Sequence, residues 1–333
     1  MWWVGLALAR EIVITPNGTN DALQNALKIA RSGDIIALKE GLFRECVTIE
    51  NRDIALVGRG GKLIGNGHCA AVLTTANAEL TIRNLTISHR GKRCVVVRGR
   101  RSTLFLDTVT LTDCGSSKID GGALFAENAT VRINNSRVAR NTGANGAGVY
   151  LDGASLTMEN SIVTENIAQI GSGIYGTAAE LNLSSTRFMA NKTKSGGIGA
   201  ALALRAGSHA IVESSIFQNN HALGDGGAIY VDNSSQGRGK LELNNSELSS
   251  NSASFGSASG GAVYVRGAVD VQLQGGRVEE NLAAGKGGGI FLADLGATAV
   301  FNKVDLSRNR ARSGEGGARA AKGCRHRCRR RRR

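Results

Sequence analysis

The stretch "GDGGAIYV" at residues 224–231 returns as "SGGAVYV" at 259–265. Degraded versions stand at 121–125 (GGALF), 146–150 (GAGVY), 171–175 (GSGIY), 199–203 (GAALA) and 287–291 (GGGIF). A phrase that recurs at near-constant spacing marks a chain of like units, so the repeat is read before the domains. A second phrase, Ser/Thr-x-aliphatic-x-x-Asn, sets the length of the unit. It ends at Asn141, Asn166, Asn191, Asn220, Asn251, Asn281 and Asn309, in steps of 25, 25, 29, 31, 30 and 28 residues. Earlier copies without the Asn end at Arg90 and Cys114.

Counting back from each Asn exposes the periodicity. Three positions before it stand Val138, Val163, Phe188, Phe217, Leu248, Val278 and Leu306; eight before, Ile133, Met158, Leu183, Val212, Leu243, Leu273 and Phe301. Ten before, the column is Val131, Leu156, Leu181, Ala210, Leu241, Val271 and Ala299, and the residues between the last two columns are mostly polar, with Ile211 and Val300 as exceptions. Alternation of period two means strands with one face inside, and no window of a repeat sustains the 3.6-residue spacing of a helix over three turns. Three short strands per turn, paired one repeat away, make an all-β parallel β-helix solenoid of roughly ten rungs. Asn suits the left-handed corner and can bond to the amides above and below it. Gly-Gly before the first strand supplies a corner with positive φ, and the small residue after it lets neighbouring coils approach.

The paired signatures Gly226-Gly227-Ala228-Ile229 and Gly260-Gly261-Ala262-Val263, with Phe188 to Asn191 and Phe217 to Asn220, resemble the repeat of the polymorphic outer membrane proteins, over about residues 120–318. That resemblance implies a right-handed β-helix displayed at a cell surface, often for adhesion. The family's C-terminal membrane barrel has no counterpart in this sequence, which leaves surface anchoring of that kind unsupported. The stretch "GDIIALKEGLFRECVTIENRDIALVGRG" (33–60) is similar to the first coils of pectin-lyase-like proteins, a superfamily that holds enzymes and non-enzymes alike.

The unit boundaries follow. A capping helix is expected over 19–32, opened by Thr19-Asn20-Asp21, buried through Leu23, Ala26, Leu27 and Ala30, and stopped at Gly33. The solenoid takes residues 10–318, with the GGA/FxxN-type repeats over 121–318. "MWWVGLALA" (1–9) reads either as the back half of a secretory signal without its basic start or as a first strand, and it is too short to span a membrane. Residues 319–333 hold eight Arg, one Lys and no acid, and removing them takes the formal net charge from +14 to +5. This stretch interrupts a repeat in mid-phrase, so it reads as a disordered basic tail, with nucleic-acid binding a distant third hypothesis.

Cys46, Cys69 and Cys94 recur at steps of 23 and 25 and are expected to stack in one column. A secreted chain could bridge two of them; a buried ladder of reduced thiols is the preferred reading. Cys114 reads as a replacement for the column Asn. Cys324, His326 and Cys328 form a three-ligand cluster without a second half, a weak zinc motif, and no metal or other cofactor is expected.

Two features bear on function. The column seven before the Asn holds Asp107, Asn134, Glu159, Ser184, Glu213, Asn244, Gln274 and Asn302. Its acids never occupy adjacent rungs, so a carboxylate pair of the kind a glycosidase or lyase needs is not expected there. Phe125, Tyr150, Tyr175, Tyr230, Tyr264 and Phe291 share another column, broken only at Ala203 and lying next to uniform aliphatics. With the aliphatics inward, the aromatics face outward, as a binding stripe for sugar rings or a partner protein, or as simple cross-rung stacking. Sequons at Asn17, Asn84, Asn128, Asn134, Asn182, Asn191, Asn233 and Asn244 suit secretion, although Asn and Ser are common at corners. The expectation is a secreted or surface-exposed, non-catalytic module for adhesion, structure or binding of polysaccharide or a cell-surface protein. A pectin-lyase-like carbohydrate-active enzyme is the alternative.

Overall fold

A computed structural model describes residues 9–234, 237–294, 296–313, 316–317 and 319–321. The chain winds as a right-handed parallel β-solenoid closed at its start by one helix. The strand after each Gly-Gly corner joins a first sheet of eleven parallel strands, beginning at Val47–Glu50 and ending at Arg319–Ala321. A second ladder takes the strands from Glu79–Arg83 to Thr298–Asn302, and a third the short strands from Thr86–Ser88 to Arg277–Glu279. These two merge at the N-terminal end. There Ile35–Arg44 pairs along Ile54–Ile64, which then pairs with both Glu79–Arg83 and Thr86–Ser88. Further on, a positive-φ residue (Asn135, Asn160, Ser185, Ser214 or Asn245) separates the two ladders.

Three strands per coil is an underestimate for the later coils. A fourth ladder of six strands holds Ile167–Ile170, Lys192–Ile198, His221–Ala222, Ser252–Ala253, Leu282–Ala283 and Arg310–Ala311. The inward columns sit where alternation puts them: Ile133, Met158, Leu183, Val212, Leu243 and Leu273 are buried, while Ile211 and Val300 are exposed. Phe301 and Leu306, in the last coil, are only partly covered. Arg319–Ala321 pairs with Ile290–Leu292, so a strand occupies the first residues assigned to the basic tail. Residues 322–333, with Cys324 to Cys328, and residues 1–8 lie outside the described residues.

The first glycine of each corner does require its φ. Gly226 has φ +68, and a Cβ there would meet the Ile229 carbonyl oxygen at 2.4 Å. The Asn column behaves differently from expectation. Positive φ falls on the residue before each Asn (Arg140, Glu165, Ala190, Asn219, Ser250, Glu280 and Arg308), which turns the Asn side chain into the core. There Nδ2 of Asn141, Asn166, Asn191, Asn220, Asn251 and Asn281 donates to Oδ1 of the next Asn at 2.9–3.0 Å. The same Nδ2 donates to a carbonyl of the preceding coil, from Leu111 to Leu248. Each Oδ1 also accepts the backbone N–H of the Asn one coil before it. A buried amide with all its capacity used stabilises the rung instead of costing a desolvation penalty.

Helix Ala22–Ile29 is shorter than the 19–32 span, and Asp21 makes no side-chain cap. Buried Glu45 reaches over from the first coils and accepts from the N–H groups of Leu23 and Gln24 at 3.0 and 2.9 Å. At the other end Arg52 donates to the carbonyls of Leu27 and Ala30. Leu23, Ala26, Leu27 and Ala30 are buried as the spacing implies. Helical geometry ends before Gly33, whose φ of +90 turns the chain into the next strand.

The reduced-thiol ladder is overturned by two disulfides, Cys46–Cys69 and Cys94–Cys114, with Cα atoms 6.2 and 5.7 Å apart. Val47 pairs with Leu73 and Leu73 with Val95, so Val72, not Cys69, stands between Cys46 and Cys94. Cys69 lies outside the column, within reach of Cys46. Cys114 does replace the column Asn, and its backbone N–H donates to Asn141 Oδ1. One coil earlier the Asn position is taken by His89 instead of Arg90, because Arg90 bridges Gly115 and His89 therefore stands opposite Cys114. Gly65 leaves room for the imidazole, since a Cβ there would lie 2.2 Å from the ring.

His89 is 2% exposed and its Nε2 has no partner. Burial first, and Lys92 after it, hold its pKa below the usual value. The folded state therefore keeps the neutral ring, while the unfolded chain takes up a proton below a pH of about 6.5. Stability is present in full above that pH and lost as pH falls toward the lowered folded value. His221 is shifted in the same direction by burial and then Lys192, so the share of His89 is the difference between wild type and His89→Asn. Urea midpoints between pH 7.5 and 5.5 should fall less in the variant; equal slopes would contradict this assignment.

Candidate functional site

The first sheet turns Leu124, Val149, Ile174, Leu202, Ile229, Val263 and Ile290 into the core, and all seven are fully buried. Their neighbours Phe125, Tyr150, Tyr175, Ala203, Tyr230, Tyr264 and Phe291 follow one another in register on the outer face. All six aromatic positions are thus brought together, yet their faces are already occupied. Phe125, Tyr150 and Tyr175 stack with centroids 5.1 Å apart, Tyr230 and Tyr264 stack at 5.2 Å, and Phe291 tilts against Tyr264. The free face of Phe125 carries the guanidinium groups of Arg93 and Arg98 at 4.8 and 5.2 Å. Tyr175 and Tyr230 are only 9% and 6% exposed. Alternation foretells the side of the sheet but not the stacking, so along most of the stripe the rings offer edges and hydroxyls rather than faces.

Two polar columns flank the rings. On the downstream side Arg98, Glu127, Asp152, Thr177, Arg205, Asp232 and Arg266 are in register. Upstream, just before each corner glycine, stand Asp120, Asn145, Ile170, Ile198, Asp225, Ser259 and Lys286. Asn145 donates to Asp120 through both its backbone N–H and Nδ2, and the Ser259 N–H donates to Asp225 at 2.7 Å. Tyr230 donates its hydroxyl to Asp232 at 3.0 Å. Sequence reasoning passed over these columns; their signals are the charged residue two after Phe125, Tyr150, Tyr230 and Tyr264 and the polar residue before Gly121, Gly146, Gly226, Gly260 and Gly287.

Electrostatics keep the hydroxyls as donors. Burial, reinforced by Asp120, Tyr175 and Asp152, pushes Tyr150 up to about 12, and burial with Asp225 does the same for Tyr264. Tyr175 and Tyr230 are also raised, by burial first. The two acids beside Tyr264 are moved in opposite directions. Burial raises Asp225 against the pull of the Ser259 N–H and Arg266. For Asp232 burial is again the largest single influence, but hydrogen bonds from Ser234 and Tyr230 together outweigh it and hold the carboxyl low.

The acids Glu159 and Glu213 lie in the second ladder with Ser184 between them, as the column implied. Among the described residues no group of His, Cys, Asp and Glu is disposed to hold a metal ion, and no helix is long and apolar enough to cross a membrane. Two sequons are closed to modification in the folded chain, because Asn191 and Asn233 are buried.

The comparisons agree with this architecture. The model for a "Right handed beta helix region" matches residues 21–201, more than half of the chain, and the protein belongs to that family. The Chlamydia polymorphic membrane protein repeat matches residues 214–232, which contain both Phe217 to Asn220 and the GGAI corner. No curated protein shows a significant match. Three solved structures share the fold. The family 28 exopolygalacturonase of Yersinia enterocolitica has a TM-score of 0.54 at 9% identity, over 93% of this chain and 79% of its own. The polygalacturonase of Erwinia carotovora ssp. carotovora gives 0.50 at 10%, over 94% and 96%. The catalytic unit of a GH87 alpha-1,3-glucanase of Streptomyces thermodiastaticus gives 0.51 at 14%, over 95% and 68%. At these identities the likeness speaks for the fold alone.

Proposed function

We propose that this protein is a secreted or surface-displayed, non-catalytic module that holds a polysaccharide along the outer face of its first sheet. The observation that supports this most is the run of protonated tyrosine hydroxyls at 150, 175, 230 and 264 beside the in-register groups Asp152, Thr177, Arg205, Asp232 and Arg266. Donors and acceptors repeat at ~4.8 Å per coil, the spacing of parallel strands, and a hydroxyl-rich chain laid along the axis meets a fresh set at every coil. Two disulfides and the surface-protein repeat favour an oxidising, extracellular setting.

A glycosidase or lyase is the second reading, favoured by the opposed shifts of Asp225 and Asp232, a pattern that separates an acid from a base. Titrating the full chain with oligogalacturonate and α-1,3-glucan fragments, beside an assay for newly released chain ends, tests both. Binding without release is the expected result. Release that disappears in Asp225→Asn would transfer the case to the enzyme.

A further inference from the structure

We propose that the break in the aromatic column at Ala203 is a subsite for one pyranose ring of the polysaccharide; the inference rests on the binding function proposed above. Ala203 is in register with Tyr175 on one side and Tyr230 on the other. Two coils separate those rings, about 9.6 Å at the spacing of parallel strands. Elsewhere one ring fills each coil step, at 5.1–5.5 Å between centroids. The break thus lacks one aromatic ring between Tyr175 and Tyr230, where Ala203 itself is fully buried, and a sugar ring taking that place needs about 3.5–4.0 Å of carbon–carbon contact on either side. The flanking wall changes character at the same place. The column of Asp120, Asn145, Asp225 and Ser259 becomes Ile170 and Ile198, both packed against the Tyr175–Ala203–Tyr230 cluster. The apolar groups around the break suit the C–H faces of a pyranose, and Thr177 and Asp232, in register on either side of Arg205, suit its hydroxyls.

Arg205 closes the break in this structure. Its guanidinium lies close enough for its charge to bear on the hydroxyls of Tyr175 and Tyr230. Its Nε is buried with no acceptor. A buried donor without a partner is costly, so swinging Arg205 outward relieves one unsatisfied group. Once out, its N–H groups face the hydroxyls of the incoming ring.

Ala203→Phe completes the aromatic ladder and fills the subsite. Isothermal titration with hexamers of galacturonate and of α-1,3-glucan is expected to show at least a tenfold loss of affinity, for whichever hexamer wild type binds, with the melting temperature unchanged or raised. Should this variant not fold, Ile198→Ser on the apolar wall carries the same expectation. Affinity within twofold of wild type overturns the subsite and leaves the binding function standing. A wild-type chain that binds neither hexamer overturns both.

Discussion

Replacing Asn191 by Ala is expected to destabilise the solenoid by about 3–9 kcal/mol, because three buried hydrogen-bonding groups lose a partner at ~1–3 kcal/mol each. Asn191 Oδ1 accepts from the backbone N–H and the Nδ2 of Asn166, and its own Nδ2 serves the Val163 carbonyl. A methyl group replaces none of these, and no water has access to a residue buried to 0% exposure. Asn309 is the internal control. It makes the same three bonds at the end of the ladder but is half-buried, so water can replace much of what Asn309→Ala removes and that variant should cost less. Urea unfolding followed by circular dichroism reads both variants; a loss below about 1 kcal/mol in Asn191→Ala would contradict the stabilising role of the ladder.

The N-terminal coils are expected to depend on their disulfides as the later coils depend on asparagine. Going back from Asn141 the core column reads Cys114, His89 and Gly65, so the amide chain stops where the bridges begin. Cys94–Cys114 and Cys46–Cys69 close loops of 20 and 23 residues, for which chain entropy gives roughly 3 kcal/mol each. The double variant Cys94→Ala, Cys114→Ala should lose about that amount. Hydrogen exchange should accelerate in the strands from Thr86–Ser88 to Thr110–Thr112 and stay slow around Asn220. Uniform acceleration along the chain would mean that the bridge stabilises the solenoid as one unit.

Much of the core was legible because each inward column keeps one residue class over many coils, as in Ile133 to Leu273 or Leu124 to Ile290. The fourth ladder was not, since its strands vary from two residues at His221–Ala222 to seven at Lys192–Ile198 and show no shared alternation. The left-handed position escaped notice for a related reason. It falls on residues as unlike as Arg140, Glu165 and Ala190, where the corner is set by the inward pull of the following Asn. The cysteine pairing was hidden because steps of 23 and 25 mimic the rung length, while the pairing depends on how Cys69 leaves the column. For the candidate site, the side of the sheet could be read from alternation; the ring orientation and the role of Arg205 depend on contacts across coils.

The proposed function places the ligand on the outer face of the first sheet and not on that of the second. Two variants of the full chain, Asp152→Asn with Asp232→Asn and Glu159→Gln with Glu213→Gln, differ only in the face they alter. Titrated with the hexamer that wild type binds, the first is expected to lose at least tenfold in affinity and the second to remain within twofold. The opposite pattern, with binding lost through Glu159 and Glu213 and retained without the two aspartates, would contradict the account.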